Sequence, residues 1–265
     1  MSDMNHPPRR IVCLTEETVE TLYLMGEEER IVGVSGFVVR PPEARRKPKV
    51  STFTDANVSA ILALKPDLIF TFSDIQADIA ASLIKEGLEV HAFNHRTVAG
   101  IFGMIRTVGA LIGEEGKAET LANRLRGGLD AAKEKAATLK RKPRVYFEEW
   151  DDPMISAIGW VSELIEIAGG ENVFADRAFN QAAKDRFVTA EEVLAAAPDI
   201  IIGSWCGKGF KKDQVAARPG FSKIPAVRAN RLFEIKSSII LQPGPAALTN
   251  GLEALVRIIS GAQEE

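Results

Sequence analysis

Apolar and polar positions fall in blocks along the chain, and the blocks recur. RIVCL at 10–14 is an unbroken apolar run of strand length. Thr15 follows as a helix cap, with Glu16 and Glu17 in the first turn, where negative charge suits the helix dipole. The helix continues through Val19, Leu22 and Tyr23 to Gly26. A second strand covers 30–35, a proline-rich loop follows, and a short strand starts at Val50. Asn57 or Ser59 begins a short helix that Pro66 ends. LIFTF at 68–72 is apolar on both faces, the mark of a parallel strand covered by helices. A helix at 78–86 and a strand at 89–93 complete a β-α rhythm.

The second half repeats the first. FVTAEEVLAAAPDIIIGSW matches NVSAILALKPDLIFTFS, so that Pro66-Asp67 recurs as Pro198-Asp199. RVYFE opens this half as a strand, with Arg144 to Phe147 expected to end the sheet and the acidic Glu148, Glu149, Asp151 and Asp152 to spill into a loop. VSELIEIAG then reads as a helix that buries Val161, Leu164, Ile165 and Ala168 and stops at Gly169-Gly170. The stretch 114–142 carries Ala118, Leu121, Ala122, Leu125, Leu129, Ala132, Ala136 and Leu139 at helical spacing, and proline returns only at Pro143. The expected fold class is therefore α/β. Two similar Rossmann-like lobes with parallel sheets, at 1–113 and 143–265, are joined by one long interlobe helix at 114–142.

Composition narrows the chemistry. A chain of 265 residues with 46% hydrophobic residues builds two lobes with real cores. The net charge of −3 and the absence of a basic patch argue against nucleic acid. Arg45-Arg46-Lys47 reads as a solvated loop. The two cysteines, Cys13 and Cys206, imply no disulfide framework. MSDMNHPPRR holds no apolar run to serve as a signal-peptide core, and no stretch reaches the length of a membrane helix. As it reads, the chain is expected in the cytoplasm; a leader removed from its start would make it periplasmic or membrane-anchored.

Ligands of open parallel sheets sit outside the carboxyl ends of the strands. Those positions hold Thr15-Glu16, Gly36-Phe37-Val38, Phe53-Thr54-Asp55, Phe72-Ser73-Asp74 and Asn94-His95-Arg96 in the first half. In the second they hold Glu149-Trp150-Asp151-Asp152, Ser204-Trp205-Cys206-Gly207-Lys208 and Gln242-Pro243-Gly244-Pro245. Aromatic, amide and hydroxyl groups recur, which suits a large, partly apolar ligand with polar edges. Each has a plain structural reading too. Trp150, Trp160 and Trp205 serve equally as core, and Asp151-Asp152 before Pro153 as a turn. Asp67 and Asp199 look structural. His91 and His95 fall on a strand and the loop after it, so they share no helix face for zinc. Cys206 lacks a partnered histidine and reads as inert or ligand-lining. GxGxxG, GxxxxGKS, GxSxG and HExxH are all missing, which favours binding over catalysis. An enzyme would have to use the carboxylates at 148–152, one raised in pKa and one ionised. In a strand Glu148 and Glu149 face opposite ways, so at most one of them joins such a site.

Five segments carry a family resemblance: RIVCLTEETVETLYLMG, IVGVSGFVVRPPEA, VSTFTDANVSAILALKPDLIFTF, WVSELIEIAGGENVF and FVTAEEVLAAAPDIII. With the long helix, they resemble the class III substrate-binding proteins of ABC transporters, the importers, and within them the vitamin B12-binding branch. The resemblance runs from Arg9 to Ser260. It implies a periplasmic-binding-protein fold, no enzymatic activity, no intrinsic cofactor or metal, and a cobalamin-like corrinoid as small-molecule ligand in the cleft between two lobes. On strand-end placement plus the resemblance, the ligand-binding residues are Phe37, Phe53, Asp55, Trp150, Asp152, Trp205 and Gln242. The resemblance also implies an acid on each lobe for docking to an ABC permease. Glu191 supplies one, and Ser59 stands where the other is expected. Intracellular salvage of a corrinoid is the variant this departure allows. Siderophore- and haem-binding proteins of the same fold are the rival ligand classes.

Overall fold

A computed structural model describes residues 7–261. The polar start read against a leader lies, at 1–6, outside the described residues. The chain forms two compact α/β units. One takes the chain up to His95 together with Ala99–Arg124; the other takes Arg96–Val98 and the chain from Leu125 onward.

The first unit alternates β1 (Ile11–Cys13), α1 (Glu16–Leu24), β2 (Ile31–Ser35), β3 (Lys49–Ser51), α2 (Val58–Ala63), β4 (Leu68–Phe72), α3 (Ala77–Lys85) and β5 (Val90–Phe93). The sheet order is β3-β2-β1-β4-β5, parallel throughout. β1 and β4 are buried along their whole length, as their unbroken apolar runs require. Asn57 starts α2, its side chain accepting from the Ala60 N–H. Thr15 occupies the cap position of α1 but does not cap it. Its hydroxyl donates to Glu17 instead, because Glu16 and Glu17 are both buried and need donors there.

A helix absent from the sequence reading follows: α4 (Val98–Ile112). It buries Ile101, Met104, Ile105, Val108 and Ile112. Glycines within it masked the pattern, and one has a purpose. A Cβ on Gly109 would lie 2.3 Å from that of Ala118 on α5 (Glu115–Ala137), so the bare backbone lets the two helices touch. α5 buries Ala118 through Ala132 as its stripe predicts, but stops at Ala137 and not at Lys142. There Thr138 and Leu139 make short-range turns to Lys135 and Ala136, and the Thr138 hydroxyl takes the Lys135 carbonyl at 2.7 Å. The division between the units falls inside α5, after Arg124.

The second unit contains β6 (Arg144–Asp151), β7 (Met154–Ser156), α6 (Gly159–Ile167), β8 (Glu171–Asn172), α7 (Ala190–Ala196), β9 (Ile200–Gly203), α8 (Lys212–Ala216), α9 (Pro225–Arg228), β10 (Leu232–Glu234), α10 (Ser237–Ile240) and α11 (Leu252–Gly261). The path β10-β9-β6 is parallel, and it repeats β5-β4-β1. The far edge of β6 is split. β8 pairs in parallel with its first residues, and β7 pairs antiparallel with its last. Asp67 and Asp199 are structural, and in the same way. Asp67 accepts the Arg9 and Arg10 N–H groups at 2.8 Å, ahead of β1. Asp199 accepts the Arg144 N–H at 2.9 Å, at the start of β6.

Gly203 ends β9 beneath the Phe210 ring, where a Cβ would fall 1.8 Å from a ring carbon. This contact pins the loop after β9. Gly203→Ala is expected to destabilise the protein by about 1–3 kcal/mol through overpacking, read by urea denaturation. An unchanged midpoint would show the loop free to yield.

Candidate functional site

The carboxyl edge of the first unit's sheet presents an open apolar surface. Phe37 follows β2 and is 59% exposed, Phe53 follows β3 at 36%, and Ile75 follows β4 at 53%. Large apolar side chains displayed together at such an edge mark a contact surface. Ile75 was missed from sequence; its one signal is an apolar residue inside the polar turn Ser73-Asp74-Ile75-Gln76. The Phe37 and Phe53 loops are tied together by the Gly36 N–H donating to the Ser51 carbonyl at 2.8 Å. Asp55 is exposed in the same turn as Phe53, its N–H donating to the Thr52 hydroxyl at 3.0 Å.

Beneath this surface lie two acids. Glu16 accepts the Val39 N–H at 2.9 Å and so holds the Phe37 loop from below. Burial pushes its carboxyl up to about 7, against the pull of that N–H. Glu17 is also driven up to about 7 by burial, and its Oε2 has no partner. His91 and His95 join an aromatic group with Phe70, Phe72 and Phe93. Among the described residues no cluster of potential metal ligands exists.

The second unit corrects the expected acidic loop. β6 does not stop at Phe147 and does not end the sheet; it runs to Asp151, between β9 on one side and β8 and β7 on the other. The hairpin with β7 keeps 148–151 in strand pairing. Glu148 is fully buried. It accepts the Tyr146 hydroxyl at 2.9 Å, the Trp205 indole N–H at 3.0 Å, and both terminal nitrogens of Arg218. Glu149 turns to a different arginine, Arg186, which also donates to the Ser156 carbonyl at 2.7 Å. Both carboxylates are committed to bidentate arginine pairs, which holds each in a fixed place.

The predicted wall residues divide accordingly. Trp150 is half-buried, and its N–H donates to the Asp152 carbonyl at 2.9 Å. The Lys208 ammonium lies 4.0 Å from the Trp150 ring centroid and pairs with Asp151. Burial works against the Asp151 charge, but the Lys208 hydrogen bond holds its carboxyl below the usual range. Asp152 is exposed beside the hairpin turn. Trp205 is enclosed, edge-on to Phe210 at 5.1 Å, and does not face solvent. Gln242 sits half-buried on a separate loop after α10. Trp160 is core, its N–H on the Ile240 carbonyl at 2.9 Å. Sequence reasoning also missed Phe179 and Phe187, both exposed. Phe187 bridges to Ile155, itself the register partner of Trp150. Glu191 and Ser59 are both exposed, each one residue past the first of its helix, α7 and α2.

The profile of the family described as periplasmic binding protein matches residues 11–239. The chain belongs to that family. An uncharacterized ABC transporter substrate-binding lipoprotein of Bacillus subtilis is 28% identical over 262 residues, covering 95% of this chain and 80% of the relative. The vitamin B12-binding protein of Vibrio parahaemolyticus is 27% identical over 252 residues, covering 94% and 89%. The periplasmic heme-binding protein RhuT of Roseiflexus sp. RS-1, solved in apo form, superposes with a TM-score of 0.79 at 25% identity, covering 95% of this chain and 99% of that one. A protein named for heme thus shares this architecture, and one named for B12 is related in sequence. Among the described residues no helix is long and apolar enough to cross a membrane.

Two predictions follow from the buried acids. Glu148→Ala leaves Arg218, the Tyr146 hydroxyl and the Trp205 N–H without their acceptor, and is expected to cost about 3–5 kcal/mol in urea denaturation. An acid that holds its proton more tightly when folded loses stability as pH rises between its unfolded and folded pKa values. For Glu17 that window runs from 4.5 to about 7. Glu17→Gln should therefore gain on the parent by about 1–3 kcal/mol as pH crosses the window. A gap that stays constant with pH would contradict the burial argument.

Proposed function

We propose that this periplasmic binding protein family member binds a cobalamin-like corrinoid without transforming it and delivers it to an ABC permease. The observation that carries the reading is the open apolar array of Phe37, Phe53 and Ile75 at the carboxyl edge of the first unit's sheet. A corrin offers a broad apolar face rimmed with amides. Phe37 and Phe53 would supply apolar area, and Asp55, in the same turn as Phe53, would accept a hydrogen bond from the rim; on the second unit Trp150, Asp152 and Gln242 are separate candidates for ligand contact. The B12-binding relative supports the same ligand class.

The rival ligands fit less well. An anionic ferric siderophore wants free cations, yet Arg40 pairs with Glu20, Lys208 with Asp151, Arg186 with Glu149 and Arg218 with Glu148. Haem wants an axial tyrosine or histidine. Tyr146 is buried on Glu148, and His91 and His95 are engaged with phenylalanines. On the transport reading Glu191 carries docking to the permease, with Ser59 offering only a hydroxyl on the other unit. The lipoprotein relative suggests that the chain works at a membrane surface.

Calorimetric titration with cyanocobalamin, haemin and a ferric hydroxamate tests the proposal. Saturable binding of cyanocobalamin alone is expected; no heat at tens of micromolar protein and ligand would overturn it. Phe53→Ala is expected to weaken cyanocobalamin binding by about 1–3 kcal/mol with an unchanged melting temperature.

A further inference from the structure

Gln76 has no solvent exposure, and its amide is used in full. Its Oε1 accepts the Phe72 N–H at 3.0 Å, at the end of β4. Its Nε2 donates to the Leu14 carbonyl at 3.3 Å, just past β1, and to the Phe53 carbonyl at 3.2 Å, in the loop after β3. β1 and β4 are adjacent, and the chain leaves them toward opposite edges of the sheet. The crevice between their ends is where an open sheet would receive a ligand. Here a side chain of the protein fills it.

The approach is built into the backbone. Ser73 turns the chain straight after β4 with φ +63° and ψ 176°, a conformation that costs a non-glycine residue strain. The Ser73 N–H donates to the Phe93 carbonyl at 2.7 Å, and its hydroxyl accepts the Ile75 N–H at 3.3 Å. That turn points Ile75 outward and returns Gln76 beneath it.

We infer that Gln76 is a positioning residue for ligand binding: its amide fixes the Phe53 turn to the ends of β1 and β4, so that Phe53 is held ready before a ligand arrives. The inference rests on the proposed role of Phe53 in binding. Holding an aromatic contact in place beforehand removes an ordering cost at association. Only a glutamine-sized amide serves all three partners. A glutamate keeps the shape but sets acceptors against the Leu14 and Phe53 carbonyls, and a methionine keeps the length with no polar group at all.

Hydrogen exchange and cyanocobalamin titration of Gln76→Glu and Gln76→Met, each with Phe53 present and with Phe53→Ala, test this. The Thr52 and Asp55 amides, hydrogen-bonded across the Phe53 turn, should exchange faster in both variants while the amides of β6 and β9 in the other unit do not change. Affinity should fall about tenfold when Phe53 is present and by clearly less in the Phe53→Ala background, where the turn carries only Asp55. Unchanged exchange at Thr52 and Asp55, or an equal loss of affinity in both backgrounds, would overturn the positioning role. Should the unaltered protein ignore cyanocobalamin, the corrinoid reading falls, while the exchange rates still decide whether Gln76 holds the turn. Gln76→Met covers the case in which a buried carboxylate prevents folding.

Discussion

A parallel sheet covered by helices on both faces must satisfy its strand ends from within. The last carbonyls and N–H groups of central strands are cut off from water, and a buried unpaired polar group costs more than its bond is worth. The first unit answers with one buried side chain: Gln76 reaches Leu14, Phe53 and Phe72. In the second, Glu148 within β6 is buried too, but it gathers side chains, those of Tyr146, Trp205 and Arg218, and no backbone group. Because Gln76 closes the ends of β1 and β4, the first unit presents only its loops at that edge.

The same rule sets the electrostatics. Glu148 and Glu149 read as part of an acidic loop after a strand, but each is the partner of an arginine that arrives from a distant segment. A buried carboxylate with a bidentate arginine is stable only as a complete set, which ties Arg186 and Arg218 to β6 and fixes the loops that carry them. Lys208 and Asp151 form a further pair across the Trp150 ring. Arg186, Lys208 and Arg218 are thus all engaged at this edge. The first unit differs: its edge is apolar above and acidic beneath, with Glu16 and Glu17 pushed toward neutrality by burial.

The sequence by itself determined the α/β class, the internal repeat, and the strand-end positions of Phe37 and Phe53. These follow from local pattern: apolar runs set strands, spacing sets helices, and Pro-Asp pairs mark the entry to a parallel strand. Even the structural role of Asp67 and Asp199 could be read, because both copies place the same residue at the same step. What the tertiary structure alone decided is where long-range partners meet. Nothing local tells that Arg218 will reach Glu148, or that the burial of Glu17 will draw Thr15 away from capping its helix. The hairpin that keeps 148–151 in the sheet also depends on a partner strand beyond the turn. Patterns of period two or three to four report which face of an element is buried; they carry no record of which distant residue covers it.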